Sequence, residues 1–382
     1  MDNLYYVEKI IDKLEKSGYK AYIVGGAVRD MVLGVPPHDY DIATSASPQE
    51  VAEVFDKVIN TGEKYGTVTV IIDDFKCEVT RFRTESDYQD SRHPLYIMPA
   101  ESIEEDLSRR DFTINAMAYN KNRGIVDPFG GYDDLKEGVI RAVGNPKKRF
   151  LEDALRILRA YRFASRLEFR IEPVTLDAIH SASNQLQNIS IERIAAELLQ
   201  ILSGKDPAVL IDLIKCGGLD FLSLKADSLK ILHRCENNIL IRFVAFAMVC
   251  GRKSADLAKE LCLSNQFCKD CDFVESVVRE DKLSPVTIKR HLRNSSFDLM
   301  RVALSARKDI LDTDISVDLK AVDLIEQNGE PYTIAHLDVS GDDIAKLGFS
   351  GKEIGDKLEL LLENVLVCPE NNRKEILLDL AK

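Results

Sequence analysis

The hydrophobic period of this chain changes once, and that single change restricts what it can fold into. Up to about residue 135, short segments of β-type alternation are interleaved with helical ones. From Pro146 onward apolar residues recur almost entirely at helical spacing. Leu4, Val7, Ile10, Ile11 and Leu14 lie on one helical face, and Gly18 ends that helix. AYIVGG (Ala21 to Gly26) predicts a short strand running into two glycines, with a helix starting at AVRDMVLG and stopping at Gly34 and Pro36-Pro37. DYDIAT (Asp39 to Thr44) alternates as a strand does. SPQEVAEVF opens a helix with Ser47 as cap, Pro48 at the first position and Glu50 three after the serine. Thr67 to Ile72 and Phe75 to Phe82 predict a strand pair joined by the Asp73-Asp74 turn.

The second half predicts helices with short breaks. Arg149 to Phe169 (RFLEDALRILRAYRFASRLEF) reads as one long helix packing through Leu151, Leu155, Leu158 and Phe163. Ile189 to Gly204 reads as a helix capped at Ser190. The expected class is therefore α+β: a small mixed or antiparallel sheet with helices, followed by an elongated all-helical remainder. The chain has 382 residues, of which 45% are hydrophobic and 30% charged. That is enough apolar material to fill several cores. The boundaries expected are a head at 1–138, a neck at 139–205, a body at 206–310 and a tail at 311–382.

Net charge is -12, which argues against wholesale coating of a polyanion but leaves room for a local basic track. One is present: Arg141 to Arg170 holds nine Lys or Arg against three acids, and includes Lys147, Lys148, Arg149 and Arg166. No apolar run approaches the roughly 18 residues of a membrane span. The N-terminus mixes both charges with apolar residues, unlike a signal peptide, so an intracellular, cytoplasmic chain is expected. Of the eight cysteines, Cys268 and Cys271 form a lone C-x-x-C with no second pair or His pair, which is a weak metal signal.

Chemistry concentrates in the head. Asp39 and Asp41 are two apart in a predicted strand, so both carboxylates are expected on one side. Like charges that close are costly unless a cation sits between them. Oxygen ligands suit Mg²⁺, and a pair of such ions serves phosphoryl transfer. Gly25-Gly26 precedes a helix where bare N–H groups can meet an anion, and Arg29 can pair with phosphate oxygens. Each signal alone is weak: a D-x-D is commonly a solvated surface pair, and Gly-Gly is neither a dinucleotide fingerprint nor a P-loop.

Taken together, GGAVRDMVLGVPPHDYDIAT resembles the motif that opens the head of class II tRNA nucleotidyltransferases and poly(A) polymerases. RRDFTINAMAY (Arg109 to Tyr119), DPFGGYDDL (Asp127 to Leu135), RFLEDALRILRAYRFASRLEF and ISIERIAAELLQIL are similar to the later motifs, in order. The segment from His336 onward resembles the C-terminal stretch more loosely. The resemblance implies that Asp39 and Asp41 hold two Mg²⁺ ions. Glu78 either joins them or stays a solvated strand residue. By the same resemblance Gly25, Gly26, Arg29, Arg109, Arg110, Asp111 and Asn115 bind sugar and triphosphate. Glu152, Asp153 and Arg156 match the family's E-D-x-x-R, which selects the base, with Arg159 and Arg162 alongside.

Asp153 and Arg156 are expected on one helix face, a carboxylate to accept from an exocyclic amino group and a guanidinium to donate to a ring nitrogen. Cytosine and adenine both present donor then acceptor, whereas guanine and uracil present the reverse. The implied activity is stepwise CCA addition to tRNA from CTP and ATP. The alternatives are A-only addition and poly(A) polymerisation. In the family, CC-only enzymes lack a mobile loop between the first two motifs, and Arg83 to Asp106 is long and polar here. Poly(A) polymerases add basic extensions not found in this chain. The partners implied are the tRNA acceptor stem and elbow, gripped in part by Lys147, Lys148, Arg149 and Arg166, with no membrane and no obligatory protein partner.

Overall fold

Helix α1 (Asn3–Lys16) buries Val7, Ile10, Ile11 and Leu14, the stripe its spacing predicts. In this computed structural model, which describes residues 3–62, 66–88 and 94–382, the stripe is followed by an inner strand. That strand, β1 (Ala21–Val24), is wholly buried and runs through Gly25 into α2 (Gly26–Val32). Strand β2 (Asp41–Thr44) follows, then α3 (Pro48–Val54), where Ser47 and Glu50 form the expected reciprocal capping box. Strands β3 (Val58–Gly62), β4 (Thr67–Ile72) and β5 (Phe75–Arg81) come next; Asp73 takes a φ of 53° in the β4–β5 turn.

Strands β6 (Arg83–Tyr88) and β7 (Pro94–Pro99) pair antiparallel and precede α4 (Ile103–Ser108). Strands β8 (Ala118–Asn120) and β9 (Gly124–Val126) and helix α5 (Gly131–Glu137) complete the head. The described strands form a seven-stranded mixed sheet in the order β3-β4-β5-β2-β1-β8-β9, antiparallel except for the parallel pair β2–β5. Tyr22, Val24, Ala43 and Ala118 of the sheet pack with Phe82, Ile103, Leu107 and Val143 in one core cluster.

The neck begins at β10 (Val139–Ile140), which pairs in parallel with β11 (Arg170–Ile171). Between them lie α6 (Pro146–Glu152) and α7 (Leu155–Leu167), followed by α8 (Pro173–Ala182), α9 (Ile191–Leu202) and α10 (Leu210–Lys215). Helix α7 packs along α9. The chain divides into two compact units, Met1–Ser223 and Leu224–Lys382, so the helices up to α10 group with the head. The second unit is helical, from α11 (Ile239–Val249) through α12 (Ser254–Glu260), α13 (Asn265–Arg279), α14 (Pro285–Leu292), α15 (Phe297–Leu311), α16 (Ser316–Gln327), α17 (Gly341–Ala345) and α18 (Lys352–Val367) to α19 (Lys374–Ala381). Cys268 and Cys271 both lie on α13 as free thiols.

Several expectations are corrected. Strand β2 starts at Asp41, which leaves Asp39 outside it. The long helix expected over Arg149 to Phe169 is two helices, because Asp153 is extended (φ -147°, ψ 104°) and its Oδ1 accepts from the Leu155 amide at 3.0 Å. A short polar side chain that offers the backbone a competing acceptor breaks a helix there. Leu151, expected to pack, is 63% exposed. Ser190 occupies the N-cap of α9 but makes no side-chain capping hydrogen bond. The polar stretch Arg83 to Asp106 holds the paired strands β6 and β7 and the start of α4; its residues 89–93 lie outside the described ones.

Candidate active site

The sharp exit from β1 builds the floor of the site. Gly25 has φ 72° and ψ -134°. A Cβ closes that region to other residues. A Cβ at Gly25 would also lie 2.8 Å from Arg110 Nη1. The glycine is thus needed twice, for the turn and for the approach of an arginine.

Gly25 and Gly26 open into a cavity of about 510 Å³ lined by eight arginines (29, 109, 110, 156, 159, 162, 166 and 193) against three carboxylates, Asp41, Asp111 and Asp153. Asn115, Leu155 and Phe163 complete the lining. Such an excess of guanidinium in one concave site fits a polyanionic ligand. The head supplies Arg29, Arg109 and Arg110; α7 supplies Arg156, Arg159, Arg162 and Arg166 at three- and four-residue spacing, so they share one face.

Most of these cations are held rather than loose, Arg166 alone being largely exposed. Arg29, 4% exposed, donates through Nε and Nη2 to Asp30 Oδ1 at 2.8 and 2.7 Å and through Nη1 to Asn115 at 2.9 Å. Its fork, expected to meet phosphate, is therefore committed to Asp30. Asp111 accepts from Arg159 at 2.7 Å and from the Phe112 amide at 2.8 Å. Burial would raise its pKa, but Arg159 and these bonds overcome that and hold it at about 2. Arg162 donates to Glu197 at 3.2 Å. The guanidiniums of Arg29, Arg159 and Arg162 lie 5.4, 5.5 and 4.8 Å from the Phe163 ring centre. At that range the ring face attracts each cation.

The E-D-x-x-R residues divide their work. Glu152 sits behind the cavity and accepts from Arg156 Nη1 at 2.8 Å and from Arg149 at 3.0 Å. Arg156 also donates from Nη1 to the Arg149 carbonyl and from Nη2 to the Arg109 carbonyl, at 3.3 and 3.0 Å. These bonds use both Nη1 protons and one Nη2 proton, and leave Nε–H and the second Nη2–H. Asp153 Oδ2 accepts from Arg193 at 3.0 Å. Asp153 and Arg156 both line the cavity although they do not share one helix.

The acidic side is less assembled. Parallel register pairs Asp41 with Glu78, so both side chains leave the same sheet face, and both are exposed. Partial removal from water, then Glu78 and Asp39, raise the Asp41 pKa, with Arg110 opposing. Asp39, 85% exposed, turns to His38 Nδ1 at 2.8 Å and does not line the cavity. Among the described residues no group of three or more His, Cys, Asp or Glu stands ready to cage an ion. A carboxylate raised by its acidic neighbours on an open shelf still fits a hard divalent cation, which takes one or two protein carboxylates and fills its shell with water and phosphate oxygens.

The structure thus gathers Gly25, Gly26, Arg29, Asp41, Arg109, Arg110, Asp111, Asn115, Asp153, Arg156, Arg159, Arg162 and Arg166. It leaves Asp39, Glu78, Glu152, Lys147, Lys148 and Arg149 outside the lining; Lys147 and Lys148 are exposed. Sequence reasoning missed Phe163 as a lining residue, Arg193, and the buried acids Asp106 and Glu197. Arg193 and Glu197 are four apart on the helix that follows, a one-face spacing that could have marked them.

An arginine-lined cavity between a mixed sheet carrying Asp41 and a helical neck suits a polyphosphate ligand. Residues 21–141 match the family described as "Poly A polymerase head domain". Residues 168–226 match the one described as "Probable RNA and SrmB- binding site of polymerase A". Together the two matches cover the head and part of the helical segment after it. A CCA-adding enzyme of Ligilactobacillus salivarius (strain UCC118) is 51% identical over 198 residues, 52% of this chain and 49% of that protein. One of Enterococcus faecalis (strain ATCC 700802 / V583) is 50% identical over 195 residues, 51% of this chain and 48% of that protein. The chain therefore spans about half the length of the curated relatives it matches. The crystal structure of the Bacillus stearothermophilus CCA-adding enzyme in complex with CTP is 29% identical, with a TM-score of 0.84, covering 100% of this chain and 97% of that one. No helix among the described residues is long and apolar enough to cross a membrane.

Proposed function

We propose that this protein is a cytoplasmic tRNA nucleotidyltransferase that adds C, C and A in turn to the 3′ end of tRNA. It would use CTP and ATP, without a nucleic-acid template, and release pyrophosphate. The observation that carries this reading is that one cavity gathers Asp41, the Arg109–Arg110 pair and the Asp153–Arg156 pair. Arg109 and Arg110 bind the triphosphate. The Asp153 carboxylate accepts from the exocyclic amino group of cytosine or adenine, and the open Arg156 Nε–H and Nη2–H donate to the adjacent ring nitrogen. Guanine and uracil would leave both groups unpaired, at about 1–3 kcal/mol each. Glu152 fixes the Arg156 plane.

Asp39 and Asp41, with Glu78 beside them, would hold divalent cations, in our reading two Mg²⁺, which supply charge neutralisation at the reacting phosphate. In our reading Arg166 and the exposed Lys147 and Lys148 would guide the RNA 3′ end. The neck, body and tail at 139–205, 206–310 and 311–382 serve base selection, support and contact with the tRNA elbow. The stretch from Arg83 to Asp106 argues against addition of C alone.

The test is to incubate the full chain and Mg²⁺ with tRNA transcripts ending at the discriminator base, at C and at CC, each with CTP, ATP or both. Two C residues and one A on the shortest transcript support the proposal. A single A on the CC-ended transcript alone replaces it with A-only addition, and long A tracts replace it with poly(A) synthesis.

A further inference from the structure

Helix α4 carries three acids in its first turn, and one of them behaves unlike the others. Glu104 and Glu105 face solvent, whereas Asp106 shares the inner face with Ile103 and Leu107 and is 1% exposed. Its Oδ1 accepts from Arg109 Nε and Nη2 at 3.1 and 3.0 Å and from the Arg83 amide at 3.3 Å. Its Oδ2 accepts from Arg110 Nη2 at 3.2 Å. Burial alone would raise its pKa, but the two guanidiniums bring it below the usual carboxylate value. Asp106 does not line the cavity, although both arginines it holds do.

We infer that Asp106 is a positioning residue that presets the Arg109 and Arg110 guanidiniums for a polyphosphate. The inference rests on the nucleotide-binding reading of the cavity and deepens it. A solvated arginine gives up rotamer freedom when it grips a ligand, whereas one already clamped by a buried carboxylate does not. The clamp also keeps two like charges side by side, which without Asp106 would repel and part. Gly25 lets Arg110 complete the arrangement, since its missing Cβ is where Nη1 passes. The clamp acts at the phosphate end of the nucleotide. Arg156 meets this pair through the Arg109 carbonyl, not through its guanidinium clamp on Asp106, so the choice of base is left to Asp153 and Arg156.

The experiment compares the full chain with its Asp106→Asn variant, measuring calorimetric binding of inorganic pyrophosphate, CTP and ATP, KM and kcat, and the thermal midpoint. Asn keeps the shape and removes the charge. Loss of a charge-assisted pair predicts binding of all three ligands weakened by about tenfold or more. KM for CTP and ATP should rise by one common factor, with discrimination against UTP and GTP unchanged. Asp106→Glu, which restores the charge, should recover part of the loss, and it carries the test if Asn does not fold. A folded variant that binds pyrophosphate and CTP as the parent does overturns the clamp. If the parent binds CTP but extends no tRNA, the proposed activity falls while the binding comparison still decides the clamp.

Discussion

Replacing Gly25 by Ala tests whether the floor of the cavity is built as described. Gly25 sits at φ 72° and ψ -134°. An alanine held in such a region costs roughly 1–3 kcal/mol. In a unit of this size each kcal/mol lowers the melting temperature by about 2–4 °C, so a fall of roughly 2–12 °C is expected. The new Cβ would also stand 2.8 Å from Arg110 Nη1. The guanidinium must retreat by about 1 Å to regain ordinary contact, which loosens its bond to Asp106. CTP and ATP binding should then weaken together by about tenfold, read by calorimetry, with base discrimination intact. Gly34→Ala separates the two effects. Gly34 has φ +70° with nothing within 4 Å of its Cβ position, so the change should lower stability and leave nucleotide binding alone. A Gly25→Ala protein that melts and binds like the parent would refute both the strain and the approach arguments.

Asp41→Ala should cut nucleotide addition by about 1,000-fold or more while the thermal midpoint and tRNA binding stay near the parent's, because Asp41 is exposed and holds no other element. Retained addition in the transcript assay would remove it from the chemistry. Arg156→Ala should relax base choice, with UTP and GTP incorporation rising relative to CTP by about tenfold; unchanged ratios in competition assays would sink the base-reading role. Asp111→Asn tests the buried ion pair through pH. The folded pKa of about 2 lies below the ordinary 3.8. A lowered folded value gives a stabilisation that is full above the ordinary pKa and is lost as pH falls toward the folded one. Its size is about 2 kcal/mol. Urea midpoints of parent and variant should therefore differ near neutrality and converge in acid.

What was legible depended on how local the cause is. The capping box at Ser47 and Glu50, the Asp73-Asp74 turn and the apolar stripe of α1 involve neighbours within a few turns, and all form as read. The expectation failed at Asp153, where a side chain competing for its own backbone ends α6, and at Asp39, which falls just short of β2. Most motif residues line one cavity, though Asp39, Glu78 and Glu152 do not, and their partners were not apparent from the motifs. Arg29 turned out to be occupied by Asp30 and by Asn115, 86 residues away. Asp106 looks in sequence like the two solvated glutamates beside it.

By itself the sequence determined the division into an α+β head and helical remainder, the residue types of the site and the order of their motifs, because period and spacing are properties of adjacent residues. Only the tertiary structure decided which charges are free. Asp106, Asp111, Glu152 and Glu197 each bind an arginine of the cavity. The partners of Asp111 and Glu197 lie 48 and 35 residues away in the chain and meet them only on folding. A buried charge must find a partner wherever the fold presents one, and that requirement acts through space rather than along the chain.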